Sequence, residues 1–193
     1  MKSSNSFQLT TVILAGGGAE RMGGVDKGLQ MYDGRPMIDY VCGLARSVSD
    51  AILVSANRNA EIYKKYADFV VSDSPDVLGK GPLAGMATVV GLVETSHILL
   101  LPCDTPNVPK EALARLICNA KKKSDVIHYI TTDSGPHPLH ALLPVSCLMQ
   151  LRDYLAQISK YGVMGFYKQV GCLECYWEND KDFNNINYAS QLR

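Results

Sequence analysis

Between Thr10 and Ser124, strand-sized apolar runs alternate with stretches of helical periodicity. The runs are Thr10–Leu14, Ala51–Ser55, Phe69–Ser72 and His97–Leu101. Helix-length segments separate them, as parallel crossovers require and hairpins do not allow. After Pro36, a favourable first helical residue, apolar side chains recur at Met37, Tyr40, Val41, Leu44, Ala45 and Val48. A short helix carrying Ile62, Tyr63 and Tyr66 follows the second run. Another, bearing Leu83, Met86, Ala87, Val90 and Val93, precedes the fourth, and one with Leu113, Leu116, Ile117 and Ala120 inward follows it. The pattern predicts a three-layer α/β/α fold with a mostly parallel sheet. His97–Leu101 is the most apolar run and is expected at the sheet centre.

Beyond Ser124 the pattern turns irregular. Val126–Thr131 and Ala141–Pro144 read as strands around a polar turn at Asp133–Pro138. Two less regular helices and a strand at Cys172–Tyr176 follow. A length of 193 residues suits a single domain. Residues 10–124 form its regular part and 125–193 the irregular remainder. Lys and Arg total 19 and so do Asp and Glu, so bulk charge gives no reason to expect nucleic-acid or anionic-membrane binding. No apolar run reaches membrane-spanning length, and the polar Met1–Ser6 is not followed by a signal-peptide core, so a cytoplasmic setting is expected.

Five of the six cysteines read as small buried hydrophobes. Cys172 and Cys175 form a lone C-x-x-C with no second pair and no suitably spaced His, and are expected in a strand without chemistry. Lys121–Lys123 reads as a solvated helix end.

In parallel α/β sheets, ligands sit beyond the C-terminal strand ends. The first such end opens into Leu14-Ala15-Gly16-Gly17-Gly18-Ala19-Glu20-Arg21-Met22-Gly23-Gly24-Val25-Asp26-Lys27. Glycines leave the backbone N–H groups open to phosphate oxygens, and Arg21 and Lys27 add fixed cations. A nucleoside triphosphate is the natural guest. A P-loop is excluded because Gly24 stands where its Lys belongs, and a dinucleotide fingerprint because Arg21 replaces the third glycine. Asp104 follows the central strand and suits Mg²⁺, which takes one or two carboxylates with phosphates and waters completing its shell. Asp73, at another strand end, suits a ribose hydroxyl or a metal-bound water; an Asx turn at Asp73-Ser74-Pro75 is the other reading.

The stretch Leu14–Lys27 resembles the L-x-G-G-x-x-x-R-M-G-x-x-K motif of nucleotidyltransferases, and within them the chain is similar to the molybdenum cofactor guanylyltransferase family. Asn57-Arg58, Gly81-Pro82-Leu83-Ala84-Gly85, Pro102-Cys103-Asp104-Thr105-Pro106 and Asn185-Ile186-Asn187 carry the resemblance onward, from Thr11 to Leu192. It implies a Rossmann-like nucleotidyltransferase fold and transfer of GMP from Mg·GTP to a molybdopterin-type cofactor, with pyrophosphate released. It implies nucleotide contacts from Leu14, Ala15, Gly16, Gly17, Lys27, Asp73, Pro82, Gly85 and Asp104. Asp104 would carry the metal, and Arg21, Lys27 and Asp104 would be catalytic. His137, Asn185 and Asn187 would face the acceptor, with His140 a weaker candidate. The guanine-type first loop and Pro82-Leu83-Ala84-Gly85 imply GTP over CTP. Two positions depart from the family: Ser55 where an asparagine is usual, and Tyr161-Gly162 where a basic pair is usual.

His97 and His128 read as satisfied core histidines, and Trp177 as core or a stacking surface for a pterin. A monomer is expected, with delivery proteins as conceivable partners. Three alternatives stay open: a cytidylyl- or sugar-phosphate nucleotidyltransferase of the same fold, a non-catalytic nucleotide-binding carrier, and a C-x-x-C redox or zinc protein.

Overall fold

The computed structural model describes residues 7–16, 26–157 and 162–186. Its strands are β1 (Leu9–Leu14), β2 (Met31–Tyr32), β3 (Arg35–Pro36), β4 (Ala51–Ser55), β5 (Phe69–Val71), β6 (His97–Pro102), β7 (Ile127–Thr132), β8 (Gly135–Pro144) and β9 (Cys172–Tyr176). Its helices are α1 (Met37–Arg46), α2 (Ala60–Tyr63), α3 (Pro82–Val89), α4 (Lys110–Lys122), α5 (Val145–Leu148), α6 (Leu151–Gln157) and α7 (Val163–Val170), with short 3₁₀ turns at Lys27–Leu29 and Asp180–Phe183.

Seven strands form one sheet in the order β5-β4-β1-β6-β8-β7-β9, with β6 at its centre. β1, β4, β5 and β6 pair in parallel, as do β7 and β9; β8 alone runs against its neighbours. The C-terminal ends of six strands and the start of β8 therefore share one rim. Successive residues of β1 face opposite ways. Ile13 joins α1, Tyr63 and α4 on one side, and Val12 and Leu14 join α3 and α5–α7 on the other. Two apolar cores thus flank the sheet, which gives the three-layer α/β/α architecture.

Several boundaries differ from the periodicity. α1 buries Ile38 and Cys42 where Tyr40 and Leu44 were expected, because the sheet lies about one residue around the helix. α3 stops at Val89, since Val90 turns extended and Gly91 adopts φ +88°. The polar turn shrinks to Asp133–Ser134: Gly135–Pro138 belongs to β8, where Gly135, Pro136 and His137 pair with Thr132, Thr131 and Ile130 of β7. Among the described residues three helices, α5 to α7, not two, lie between β8 and β9.

Cys118 is exposed, on the outer face of α4. Cys172 and Cys175 lie three apart on a strand, so they join opposite cores and cannot close on one metal or on each other. His97 is satisfied by Ser96 Oγ and the Ser124 carbonyl, whereas His128 has a partner only at Nε2 and leaves Nδ1 unpaired. Lys121, Lys122 and Lys123 are exposed at the end of α4.

Candidate active site

The rim gathers most of the residues singled out from sequence. Lys27 opens the 3₁₀ turn that follows the glycine-rich loop, and Asp104 lies just past β6. Lys27 Nζ donates to Asp104 Oδ2 at 3.2 Å across 77 residues of chain. Asp104 has 11% of its side chain exposed and Lys27 32%, so the pair sits at the edge of the core with the cation facing outward. Arg21 and Gly17 lie outside the described residues, as does Asn187.

Asp26 fixes where Lys27 starts. Its two carboxylate oxygens accept from the Tyr63 hydroxyl and from Asn59 Nδ2, the latter at 2.9 Å. Tyr63 is fully buried, and burial pushes its phenol up, so it is a donor at any ordinary pH. Asn59 holds a left-handed conformation, φ +53°, to reach Asp26. Gly28 packs beneath, under Tyr63 and Cys103. None of this clamp stood out from sequence: Tyr63 carried only a core periodicity, and Asp26 is one acid among many.

On the other flank, Leu14 ends β1 with its side chain in the core, leaving only backbone for a ligand. Ala15 N donates to the Ser55 carbonyl at 2.9 Å, and Gly16 beyond it is exposed. Asp73 is held by three bonds. Asn57 Nδ2 donates to Oδ2 at 2.8 Å, Ser55 Oγ donates to Oδ1 at 3.4 Å, and the Asp73 N–H donates back to Asn57 Oδ1 at 2.8 Å. Ser55 is 3% exposed, and its hydroxyl is turned onto Asp73.

Pro82 begins α3 after Gly81, whose φ of +61° favours glycine. Gly85 is buried, and a Cβ there would lie 2.7 Å from Leu14 Cδ2 and 2.8 Å from Ser55 Oγ. The structure therefore gives Gly85 a packing role, bringing α3 against β1 and β4. Gly85→Ala is expected to cost about 1–3 kcal/mol of unfolding free energy in a urea titration; an unchanged midpoint would contradict the tight contact.

The acceptor-side candidates cluster where β8 departs from β7. Tyr129 pairs with Ala141 but Ile130 pairs with His137, so Pro138, Leu139 and His140 are extra residues on β8. This bulge turns His140 inward to Thr105, with Nε2 2.9 Å from Thr105 Oγ1. His137 Nε2 lies 2.9 Å from Thr132 Oγ1, and Phe183 packs against both imidazoles. Asn185 is exposed beside Ile186, whose N–H donates to the Asp104 carbonyl at 2.9 Å. Trp177 instead stacks on Arg115 and donates to Asp182 at 2.7 Å.

Burial, and secondarily the nearby His137, pushes the His140 imidazole down to about 3, and burial also lowers His137. The unfolded chain, with an ordinary histidine near 6.5, binds the extra proton first. Stability conferred by neutral His140 is therefore fully present above about pH 6.5 and lost as pH falls toward 3, by up to about 1.4 kcal/mol per pH unit for this one proton. Unfolding titrations from pH 7 to 4 should show this slope, and His140→Gln should flatten it; equal slopes would contradict the assignment.

A metal must fit this donor set. Among the described residues no three His, Cys, Asp or Glu side chains could jointly hold an ion. Asp26 is already committed to Tyr63 and Asn59. One rim carboxylate does not make a resident cage, but it fits Mg²⁺ that arrives on a triphosphate, where phosphates and waters supply the other ligands.

The family described as the MobA-like NTP transferase domain matches residues 11–171. The chain belongs to this family. It has relatives that match along nearly their whole length. A molybdenum cofactor guanylyltransferase of Haemophilus influenzae is 34% identical over 190 residues, covering 97% of each chain. One from Mannheimia succiniciproducens is 34% identical over 189 residues, covering 97% of this chain and 98% of its own. The crystal structure of molybdopterin-guanine dinucleotide biosynthesis protein A from Archaeoglobus fulgidus superposes with a TM-score of 0.72 at 20% identity, covering 94% of each chain. That likeness carries the fold of the MobA-like family; among the described residues, no helix is long and apolar enough to cross a membrane.

Proposed function

We propose that this chain transfers GMP from Mg·GTP to a molybdopterin-type cofactor, forming the guanine dinucleotide and releasing pyrophosphate. The observation that carries the reading is the Lys27–Asp104 pair, a cation and a metal-suited carboxylate 3.2 Å apart at the rim. The names of its full-length relatives support the substrates.

In this reading residues 10–124 hold the nucleotide and residues 125–193 the acceptor, within one domain of a cytoplasmic, monomeric enzyme. The acceptor's terminal phosphate is largely ionised at neutral pH, its second pKa being about 6, so no general base is required. Its oxygen attacks the α-phosphorus in line. A new P–O bond forms as the bond to the β-phosphate oxygen breaks, and pyrophosphate leaves with that electron pair.

Backbone at Leu14–Gly16 and Pro82 lines the nucleotide, and Asp73, held by Ser55 and Asn57, meets its sugar. Lys27 and Arg21 neutralise charge on the phosphates. Asp104 would hold Mg²⁺, which would supply charge compensation for the triphosphate. His137, Asn185 and Asn187 face the acceptor. The work is positioning and charge compensation.

A purified-protein assay with Mg²⁺, the acceptor and each of the four NTPs checks this. Acceptor-dependent pyrophosphate release is expected with GTP, with CTP about 100-fold slower. CTP turnover at the GTP rate would favour the cytidylyltransferase alternative, and GTP binding without turnover the carrier.

A further inference from the structure

We propose that His140 is a positioning residue for the Asp104 turn, setting through Thr105 the direction of the carboxylate that meets Lys27. The inference rests on the proposed use of Asp104 and adds a residue on the opposite half of the molecule.

The geometry is specific. The bulge in β8 exists only at Pro138–His140 and delivers His140 to Thr105. Bulges are a recognised way to re-aim a side chain beside a site. The Tyr167 hydroxyl donates to the Pro138 carbonyl at 2.9 Å and holds the bulge in place. His140 is 3% exposed and Thr105 2%, so water does not compete for this bond. The hydroxyl both donates and accepts, so either neutral tautomer of the imidazole satisfies it.

His140 Nδ1 is buried with no partner. An apolar side chain would fill the same space without that cost, so packing alone does not account for an imidazole here. What the imidazole adds is a bond to the residue directly after Asp104. The turn is then held on three sides: Lys27 on the Asp104 carboxylate, the Ile186 N–H on its carbonyl, and His140 on Thr105. Phe183, three residues before Ile186, packs edge-on against His140 with ring centroids 4.8 Å apart. A turn released on one side swings its carboxylate away from Lys27 while leaving Lys27 itself, and the nucleotide rim, in place.

Calorimetric titration of GTP into the protein, with and without Mg²⁺, tests this on wild type, His140→Leu, His140→Gln, Thr105→Val and the Leu/Val double variant. Removing an outer partner of a metal ligand typically weakens metal affinity about 10- to 100-fold. His140→Leu and Thr105→Val are each expected to raise the Kd for GTP at limiting Mg²⁺ about tenfold, and the double variant no further. His140→Gln, which places an amide near the imidazole Nε2, is expected to recover most of the affinity. GTP binding without Mg²⁺ and the KM for the acceptor should stay at wild-type values in all of them.

If Thr105→Val binds Mg·GTP as wild type does, or if the two losses multiply, the positioning role is overturned. Thr105→Val keeps the side-chain shape, so this outcome is readable even where His140→Leu fails to fold. Absence of Mg·GTP binding by wild type would instead overturn the site assignment and this inference with it.

Discussion

Lys27→Ala and Asp104→Ala are each expected to lower kcat/KM about 100- to 1,000-fold while leaving the protein folded. The losses follow from where charge changes. A triphosphate brings several negative charges to the rim, and the departing pyrophosphate gathers more as the α-phosphorus is transferred. Lys27 brings a cation to that rim, held by Asp104 Oδ2 and launched by the Asp26 clamp.

The fold should survive both changes for different reasons. Removing Asp104 leaves a lysine about a third exposed, which water can solvate. Removing Lys27 leaves a carboxylate 11% exposed, a larger penalty, although the Asp104 carbonyl keeps its bond from Ile186. Because both residues would grip one guest, the double variant should lose less than the product of the single losses. Steady-state kinetics beside circular dichroism would read this. Wild-type kcat/KM in either single variant would remove that residue from the chemistry.

Gly28→Ala is expected to be the most damaging conservative change away from the charged pair, costing about 1–3 kcal/mol of stability and at least about tenfold in turnover. A Cβ there would lie 2.5 Å from the Tyr63 hydroxyl and 3.3 Å from Cys103 Cβ and Sγ. Neither neighbour yields easily. Tyr63 is fully buried and its hydroxyl is bonded to Asp26, while Cys103 is buried and precedes Asp104. Relief in one direction breaks the anchor of Lys27, and relief in the other displaces the Asp104 turn. Tyr63→Phe in the Gly28→Ala background removes the clashing oxygen, so it should return much of the stability without returning the turnover, because Asp26 then lacks its buried donor. Urea unfolding and kcat on the two variants would show this, and a Gly28→Ala protein with wild-type stability would contradict the packing.

The parallel half of the fold was legible because its signal is local. Each strand is an apolar run, each crossover has helix periodicity, and Ala51–Ser55 forms β4 with those same ends. The irregular half was harder because its signal is not. Gly135–Pro138 reads as a turn from its Gly and Pro content, yet it becomes the start of β8, with Gly135, Pro136 and His137 paired to Thr132, Thr131 and Ile130 on its neighbour.

The site divides the same way. Lys27, Asp73 and Asp104 lie at strand ends or in the loop that follows one, where topology alone says a ligand binds. Asp26, Tyr63, Ser55 and Thr105 work through hydrogen bonds to residues 18 to 37 positions away, and no spacing in the chain announces such partners. Both histidines read as loop residues, and the His137-Pro138 step that resembles the family's makes His137 the stronger acceptor candidate. Only the bulge reveals that one of them is buried against Thr105.

The most direct measurement follows a label from nucleotide to product. GTP carrying radioactive phosphorus at the α position, incubated with Mg²⁺, the molybdopterin-type acceptor and this protein, should place the label in the dinucleotide product, while γ-labelled GTP should deliver its label only to pyrophosphate. Transfer of the γ-label to the acceptor, or release of α-label as free GMP with no dinucleotide formed, would contradict the account.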